Sequence, residues 1–163
     1  MGFFQSLKNA FGNKYETHSE VLQQMAVRVA HCALEQLRDD LEPGDEGVTF
    51  VKHGGWCITI DTRPEGELYH DHHTSYAIKY SDFGMEDVPY GEEEMFLKAL
   101  APYVNKEIAA RVKQYFPLGH GCASYSTYRQ ASNWTEDRNV PAIKIWVPDA
   151  KRAGRTKTTY KSW

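Results

Sequence analysis

Residues 48–62 read VTFVKHGGWCITIDT, and this stretch decides the fold class. Two runs rich in β-branched and aromatic residues flank Gly54-Gly55, which suits a two-residue hairpin loop because glycine tolerates positive φ. The pattern predicts two antiparallel strands in which His53 lies opposite Trp56. Alternation of side chains assigns one face of this hairpin to the core. The predicted core face comprises Thr49, Val51, Trp56, Ile58 and Ile60.

Two long amphipathic helices are predicted on either side of the hairpin region. Apolar residues recur at helical spacing through residues 18–41, with charged and amide side chains opposite them. A second apolar stripe runs through residues 92–116 and begins with three glutamates, whose negative charge complements a helix N-terminus. Pro102 lies inside the second stripe, so we expect a kink or a restart at Ala101.

Three further strands complete the predicted order of elements. The runs with strand character are residues 76–80, 124–128 and 142–147. The order is therefore α-β-β-β-α-β-β, an α+β class with an antiparallel sheet of about five strands. Packing both helices on that sheet is the simplest way to bury their apolar stripes. Several unrelated families share this order, so it implies no function.

Charge is distributed unevenly along a chain whose 163 residues fit one domain of roughly 100–200 residues. The 19 basic and 22 acidic residues give a net charge of −3. Five of the basic residues lie in 151–163, which has no acid, so the remainder carries 14 basic and 22 acidic residues, or −8. We interpret 1–16 as a short N-terminal amphipathic segment, 17–148 as a single α+β domain and 149–163 as a basic C-terminal tail.

Cysteine use and hydropathy indicate the compartment. Cys32, Cys57 and Cys122 form no CxxC pair and are odd in number, which predicts buried free thiols in a reducing environment. No run approaches the ~20 apolar residues of a membrane span. The N-terminus also lacks the continuous apolar region of a signal peptide. We therefore expect a cytoplasmic protein without a membrane span.

The favoured hypothesis for function is a non-catalytic protein-binding module, either chaperone-like or an inhibitor or adaptor, because no catalytic motif is recognised. Residues 81–94 contain six acidic side chains and no lysine or arginine, which suits a basic protein partner. A second copy of the chain, forming a homodimer, is the alternative partner. Aromatic side chains are enriched in binding hot spots, although core packing is the competing explanation for most of them. The candidate binding residues are Tyr69, Tyr80, Phe83, Glu86, Asp87, Tyr90, Trp134 and Trp146.

A metal-dependent hydrolase is the first alternative, based on the run His70-Asp71-His72-His73. Imidazole and carboxylate groups are good ligands for zinc and other divalent metals. Alternate side chains of an extended strand point to opposite faces, so Asp61 of a neighbouring strand would complete the set. The predicted ligands are His70, His72, His73 and Asp61; a solvated polar turn is the competing interpretation. Apart from this divalent metal, no cofactor is expected.

Nucleic-acid binding through the tail is the second alternative. Residues 151–163 combine five positive charges with Tyr160 and Trp163, a composition suited to phosphate contacts and base stacking. The acidic body would repel a phosphate backbone, so the sequence disfavours nucleic-acid binding except through this tail. The basic side chains concerned are Arg152, Arg155, Lys157 and Lys161.

Overall fold

A computed structural model describes residues 13–40, 47–61, 75–130 and 136–150. These residues form two long helices and five strands, which confirms the predicted α+β class and the order α-β-β-β-α-β-β. The helices and strands are α1 (Ser19–Asp40), β1 (Gly47–His53), β2 (Cys57–Asp61), β3 (Ser75–Lys79), α2 (Glu93–Tyr115), β4 (Cys122–Gln130) and β5 (Arg138–Val147). Two short 3-10 helices, Lys14–Thr17 and Tyr80–Phe83, precede α1 and follow β3.

The five strands form one antiparallel sheet in the order β3-β2-β1-β5-β4. β1 is therefore central, and β5, the last of the described strands, inserts between β1 and β4. In this register Val51 lies opposite Ile60 on one side and Ile143 on the other. All three side chains are fully buried on the face covered by the helices, as the alternation of β1 requires.

The β1–β2 turn differs from the predicted one. Gly54 N–H donates to the Cys57 carbonyl at 2.8 Å, so the loop residues are Gly55 and Trp56. The pairing of His53 with Ile58, instead of Trp56, shifts every partner by two residues. A two-residue shift preserves the alternation, so the predicted faces are otherwise retained. Only Trp56 moves, from the core face to the exposed hairpin tip.

Both helices pack on one face of the sheet and run in the same direction. Gln23 of α1 contacts Glu107 of α2, and two turns later His31 contacts Tyr115. The buried stripes of both helices meet the apolar side chains of β1, β2, β3 and β5 in one core. This core also includes Tyr15 from the first 3-10 helix, so packing extends to that short element.

Three boundaries differ from the sequence-based expectations. α2 continues through Pro102 without the expected restart. Pro102 lies on the exposed side of the helix, so the carbonyl that loses a hydrogen bond because proline has no N–H is not buried. β4 and β5 are both longer than predicted. β4 spans Cys122–Gln130, and β5 begins at Arg138 and passes through Pro141. Pro141 lies opposite Thr127, and β1 is paired only as far as Ala142. A missing N–H at Pro141 therefore costs no hydrogen bond to β1.

The opposite face of the sheet carries no described helix. Phe50, Tyr128 and Ala142 are buried there as a small second cluster. Next to it the Lys52 ammonium lies 3.3 Å from an Asp61 carboxylate oxygen and 4.1 Å from the centre of the Tyr128 ring. This face is therefore mixed in character, as its sequence pattern indicates.

Two of the three cysteines are placed as expected. Cys32 and Cys57 are buried, whereas Cys122 is exposed at the start of β4, so the expectation of three buried thiols is wrong for Cys122. All three are free thiols. None of the described helices has the length and apolar character required to cross a bilayer.

Candidate functional site

The most exposed large apolar side chain among the described residues is Tyr90, at 81%. It occupies the second position of a turn that is closed by a 3.1 Å hydrogen bond from Glu92 N–H to the Pro89 carbonyl. Gly91 takes the third position with φ of +93°, a conformation that favours glycine. Gly91 is therefore the residue that this turn requires, and the turn presents Tyr90 to solvent.

A chain of ring contacts connects Tyr90 to the core. The Tyr90 ring lies edge-on to His53, with centroids 5.7 Å apart. His53 Nδ1 lies 2.6 Å from the Tyr80 hydroxyl oxygen, and the buried Tyr80 ring packs edge-on against Phe96 at 5.4 Å. Tyr90 is therefore largely exposed, but its ring contacts His53, which is itself anchored to the core through Tyr80.

Burial controls the protonation of this support. It lowers the pKa of His53, against the opposing effect of the nearby Glu93 and Asp87 carboxylates. It also raises the pKa of Tyr80 well above its usual range. Both groups are therefore neutral at pH 7, and the support adds no charge to the surface around Tyr90.

The second exposed aromatic residue of this region is Trp56, at 52%. Its neighbour Gly55 has φ of +70°, and a Cβ atom there would lie 3.0 Å from the Tyr90 hydroxyl oxygen. The Lys79 ammonium lies 5.3 Å from the centre of the Trp56 ring. The tip of the β1–β2 hairpin therefore brings Trp56 to the same end of the molecule as Tyr90.

Acidic side chains lie in the segment that carries Tyr90 and near its support His53. Glu86 and Asp87 are exposed, and Glu93 is half-buried at the start of α2. The carboxylates of Asp87 and Glu93 are close enough to His53 to affect its protonation. We define the Tyr90 surface as Trp56, Glu86, Asp87, Tyr90 and Glu93.

The first 3-10 helix holds the start of α2 beside this surface. The Lys14 ammonium lies 2.6 Å from one Glu92 carboxylate oxygen, and the Tyr15 hydroxyl donates a short hydrogen bond to that carboxylate. These two hydrogen bonds, with Lys14 contributing more, lower the pKa of Glu92. Glu92 therefore holds the first 3-10 helix against the start of α2, and it is less available than Glu86 or Asp87 for contact with a ligand.

The eight candidate binding residues do not form a single surface. Glu86, Asp87 and Tyr90 are exposed in one segment of the chain, which also contains the half-buried Phe83. Tyr80 is fully buried, in agreement with the core alternative, and acts only as support. Trp146 is exposed on the helix-free face of the sheet, beside Lys144. Tyr69 and Trp134 lie outside the described residues.

The metal hypothesis rests mostly on residues outside the described ranges. His70, His72 and His73 fall there, and only Asp61 is described. The Asp61 carboxylate is buried and paired with Lys52, whose positive charge competes with a cation. The described part of the chain contains no group of three or more His, Cys, Asp or Glu side chains that could hold a metal ion. The hydrolase stays a prediction.

The nucleic-acid hypothesis also stays a prediction. The tail residues Arg152, Arg155, Lys157 and Lys161 lie outside the described ranges, which end at Ala150. Ala150 itself is buried against the main core, so the described chain remains packed up to that point.

Sequence reasoning missed two residues of the Tyr90 surface and the residue that supports it. Trp56 was assigned to the core, Glu93 was not among the candidate binding residues, and His53 was assigned no role. A tryptophan directly after two glycines is a signal for a hairpin tip, and Pro89-Tyr90-Gly91 is a signal for an exposed turn. The contact between His53 and Tyr80 has no such local signal, because it depends on the pairing of β1, β2 and β3.

Comparison with known proteins gives no relative: no family model, no curated protein and no solved structure matches this chain.

Proposed function

We propose that the protein is a non-catalytic binding module that recognises a basic segment of another protein through the Tyr90 surface. One observation carries the proposal. Tyr90 is 81% exposed in a closed turn and its ring packs against His53, whose protonation is affected by the Asp87 and Glu93 carboxylates. An aromatic residue held in this way loses little conformational freedom on binding.

The charge of the segment determines the class of partner. Residues 81–94 carry six acids and no lysine or arginine, and His53 below them is neutral. Lys14 pairs with Glu92 and Lys98 pairs with Glu94, so Asp82, Glu86, Asp87 and Glu93 supply the attraction for a basic segment. These carboxylates disfavour an acidic partner or a nucleic acid. The proposed ligand is therefore a peptide segment that contains lysine or arginine.

The two aromatic side chains supply the apolar part of recognition. Tyr90 and Trp56 are exposed at the same end of the molecule, and tyrosine and tryptophan combine a large apolar area with a polar tip. A guanidinium or ammonium group of the ligand can also lie over either ring. We therefore expect ligand peptides to alternate basic and apolar residues.

Selection from a random peptide library displayed on phage tests this proposal, with the full chain immobilised as bait. The expected result is enrichment of peptides rich in lysine and arginine, with binding that weakens as salt screens the charges. Tyr90→Ala should weaken a selected peptide about tenfold, as expected for a hot-spot residue. Replacing both Glu86→Gln and Asp87→Asn should reduce the salt dependence.

Leu118→Ala is the matched control, because Leu118 is 75% exposed in the loop after α2 and is not part of the Tyr90 surface. It should bind selected peptides as the natural chain does. Enrichment without basic residues, or equal binding by Tyr90→Ala and Leu118→Ala, would contradict the proposal.

A further inference from the structure

The contact between Lys79 and Trp56 follows from the register of β2 and β3. Cys57 lies opposite Lys79, so Trp56, the residue before Cys57, lies diagonally next to Lys79. The Lys79 ammonium is 5.3 Å from the centre of the Trp56 ring, within the range of a cation–π contact. Strand pairing before Lys79 and the fully buried Tyr80 after it fix the backbone at this point. The fold therefore brings this lysine to the edge of the Tyr90 surface.

No carboxylate in the described part of the chain pairs with Lys79. Other lysines that lie over an aromatic ring also pair with an acid, namely Lys14 with Glu92, Lys52 with Asp61 and Lys98 with Glu94. At Lys79 the Trp56 ring is the contact that holds the ammonium. Lys79 thus places a positive charge at the border of an acidic surface without pairing with any of its acids.

The Trp56 ring is therefore already in contact with a cation in the free protein. Trp56 is 52% exposed and Lys79 is exposed as well, so their side chains can separate without disturbing the core. A lysine or arginine of a ligand that approaches this ring meets the Lys79 ammonium first. It must either displace that ammonium or bind close to it and be repelled by a like charge.

We propose, on the basis of the function proposed above, that Lys79 is an internal competitor for the ligand of the Tyr90 surface. Its ammonium lies over the Trp56 ring until a basic residue of the ligand takes its place. A ligand with a single basic group only exchanges one cation for another on this ring, so it gains little. A segment that also contacts Tyr90 and the carboxylates of Glu86 and Asp87 gains enough to displace Lys79. Lys79 therefore selects for extended basic segments over isolated basic residues.

Removal of the competing ammonium tests this role through affinity. The probe is a synthetic peptide of alternating arginine and leucine, titrated into the full chain and measured by calorimetry. Lys79→Thr removes the charge, uncovers the ring and keeps a residue that suits a strand. This variant should bind the peptide about three- to fivefold more tightly than the natural chain, as the loss of an exposed cation–π contact implies. Lys79 is exposed, so the variant should keep the natural circular dichroism spectrum.

Lys144→Thr is the matched control. The Lys144 ammonium lies 5.6 Å from the centre of the Trp146 ring, and no carboxylate of the described residues pairs with it. Trp146 lies opposite Val48, at the other end of β1 from His53, so this second pair is remote from the Tyr90 surface. The control changes the net charge by the same amount as Lys79→Thr, and it should bind the peptide as the natural chain does.

Nuclear magnetic resonance of the isotopically labelled chain observes the displacement directly. Protons above a tryptophan ring resonate upfield, so the Lys79 Cε protons should be shifted in the natural chain and unshifted in Trp56→Leu. Saturation of the natural chain with the peptide should also remove the shift.

Three outcomes would overturn the role of Lys79 while leaving peptide binding by the Tyr90 surface intact. They are unshifted Lys79 protons in the free natural chain, protons that stay shifted in the complex, and equal affinities of Lys79→Thr and Lys144→Thr. Absence of binding by the natural chain and by Lys79→Thr alike would instead overturn the proposed function, and the role of Lys79 with it.

Discussion

His53 Nδ1 lies 2.6 Å from the hydroxyl oxygen of Tyr80, and Nε2 of the same ring lies 3.3 Å from the backbone nitrogen of Gly55. Gly55 N–H donates to Nε2, so the ring proton belongs on Nδ1, directed at Tyr80. Only a neutral imidazole can accept at one nitrogen and donate at the other. The support beneath Tyr90 therefore depends on an uncharged His53.

Acidification should destabilise the protein through His53. Burial holds its folded-state pKa below the unfolded value of about 6.5. The unfolded state then binds more protons between these two pKa values, so stability is complete above about pH 6.5 and declines as the pH falls toward the folded value. Urea unfolding at about pH 7.5 and about pH 5 should show a larger loss for the natural chain than for His53→Gln. Equal losses would show that His53 does not contribute.

Gly91→Ala should lower stability by about 1 kcal/mol, because a side chain is strained at φ of +93°. Its Cβ atom would meet no atom within 4 Å, so the cost is conformational alone. Gly84→Ala is a matched control, with φ of +67° and equally open space. Both variants should unfold at lower urea concentration, but only Gly91→Ala should weaken peptide binding, because Tyr90 precedes it in the turn. Weaker binding by both would mean that the effect is not local.

Asp61→Asn should cost about 2 kcal/mol, because it leaves the Lys52 ammonium largely buried beside a neutral amide. Glu94→Gln is the comparison, since it breaks an exposed pair in which Lys98 lies 2.7 Å from Glu94. Exposed pairs contribute little, so this variant should leave the free energy of unfolding almost unchanged. Denaturant titration of both variants measures the difference, and similar costs would show that burial of Asp61 does not matter.

Gln36→Met should raise the free energy of unfolding by about 1 kcal/mol. Gln36 is buried, and within the described part of the structure neither atom of its amide group has a hydrogen-bond partner. A buried polar group without a partner is costly, whereas methionine has a similar volume and a good helix propensity. The control is Gln23→Met, which removes a 2.6 Å hydrogen bond to Glu107 and should be destabilising. A loss of stability in Gln36→Met would contradict this assignment.

Local patterns in the sequence predicted the elements because each depends on neighbouring residues. The helix predicted over 18–41 is observed as Ser19–Asp40, since its apolar stripe and the chain breakers after it are local. The register of the β1–β2 hairpin could not be predicted from local sequence in this way. Gly54-Gly55 is compatible both with a loop of Gly54 and Gly55 and with a loop of Gly55 and Trp56. Gly55 adopts the positive φ and Gly54 pairs with Cys57, a choice that fits the pairing of β1 with both β2 and β5.

The candidate site was predicted only in part, for a similar reason. The acidic character of Glu86 and Asp87 and the exposure of Tyr90 follow from a turn-rich, charged segment. Tyr80 was placed among the same aromatic residues, yet it is buried because β3 ends at Lys79 and the chain turns Tyr80 inward against Phe96. Distinguishing these two tyrosines requires the end of β3, which sequence periodicity defines only to within a few residues.

The central position of β1 also has a consequence during translation. The β1–β2 hairpin leaves the ribosome early and can pair at once, but the other side of β1 belongs to β5. The edge of β1 that pairs with β5, where Val51 lies opposite Ile143, therefore stays unpaired while α2 and β4 are still being synthesised. Throughout that interval the nascent chain has an open, apolar strand in the middle of its future sheet, and this is the form that nascent-chain chaperones would meet.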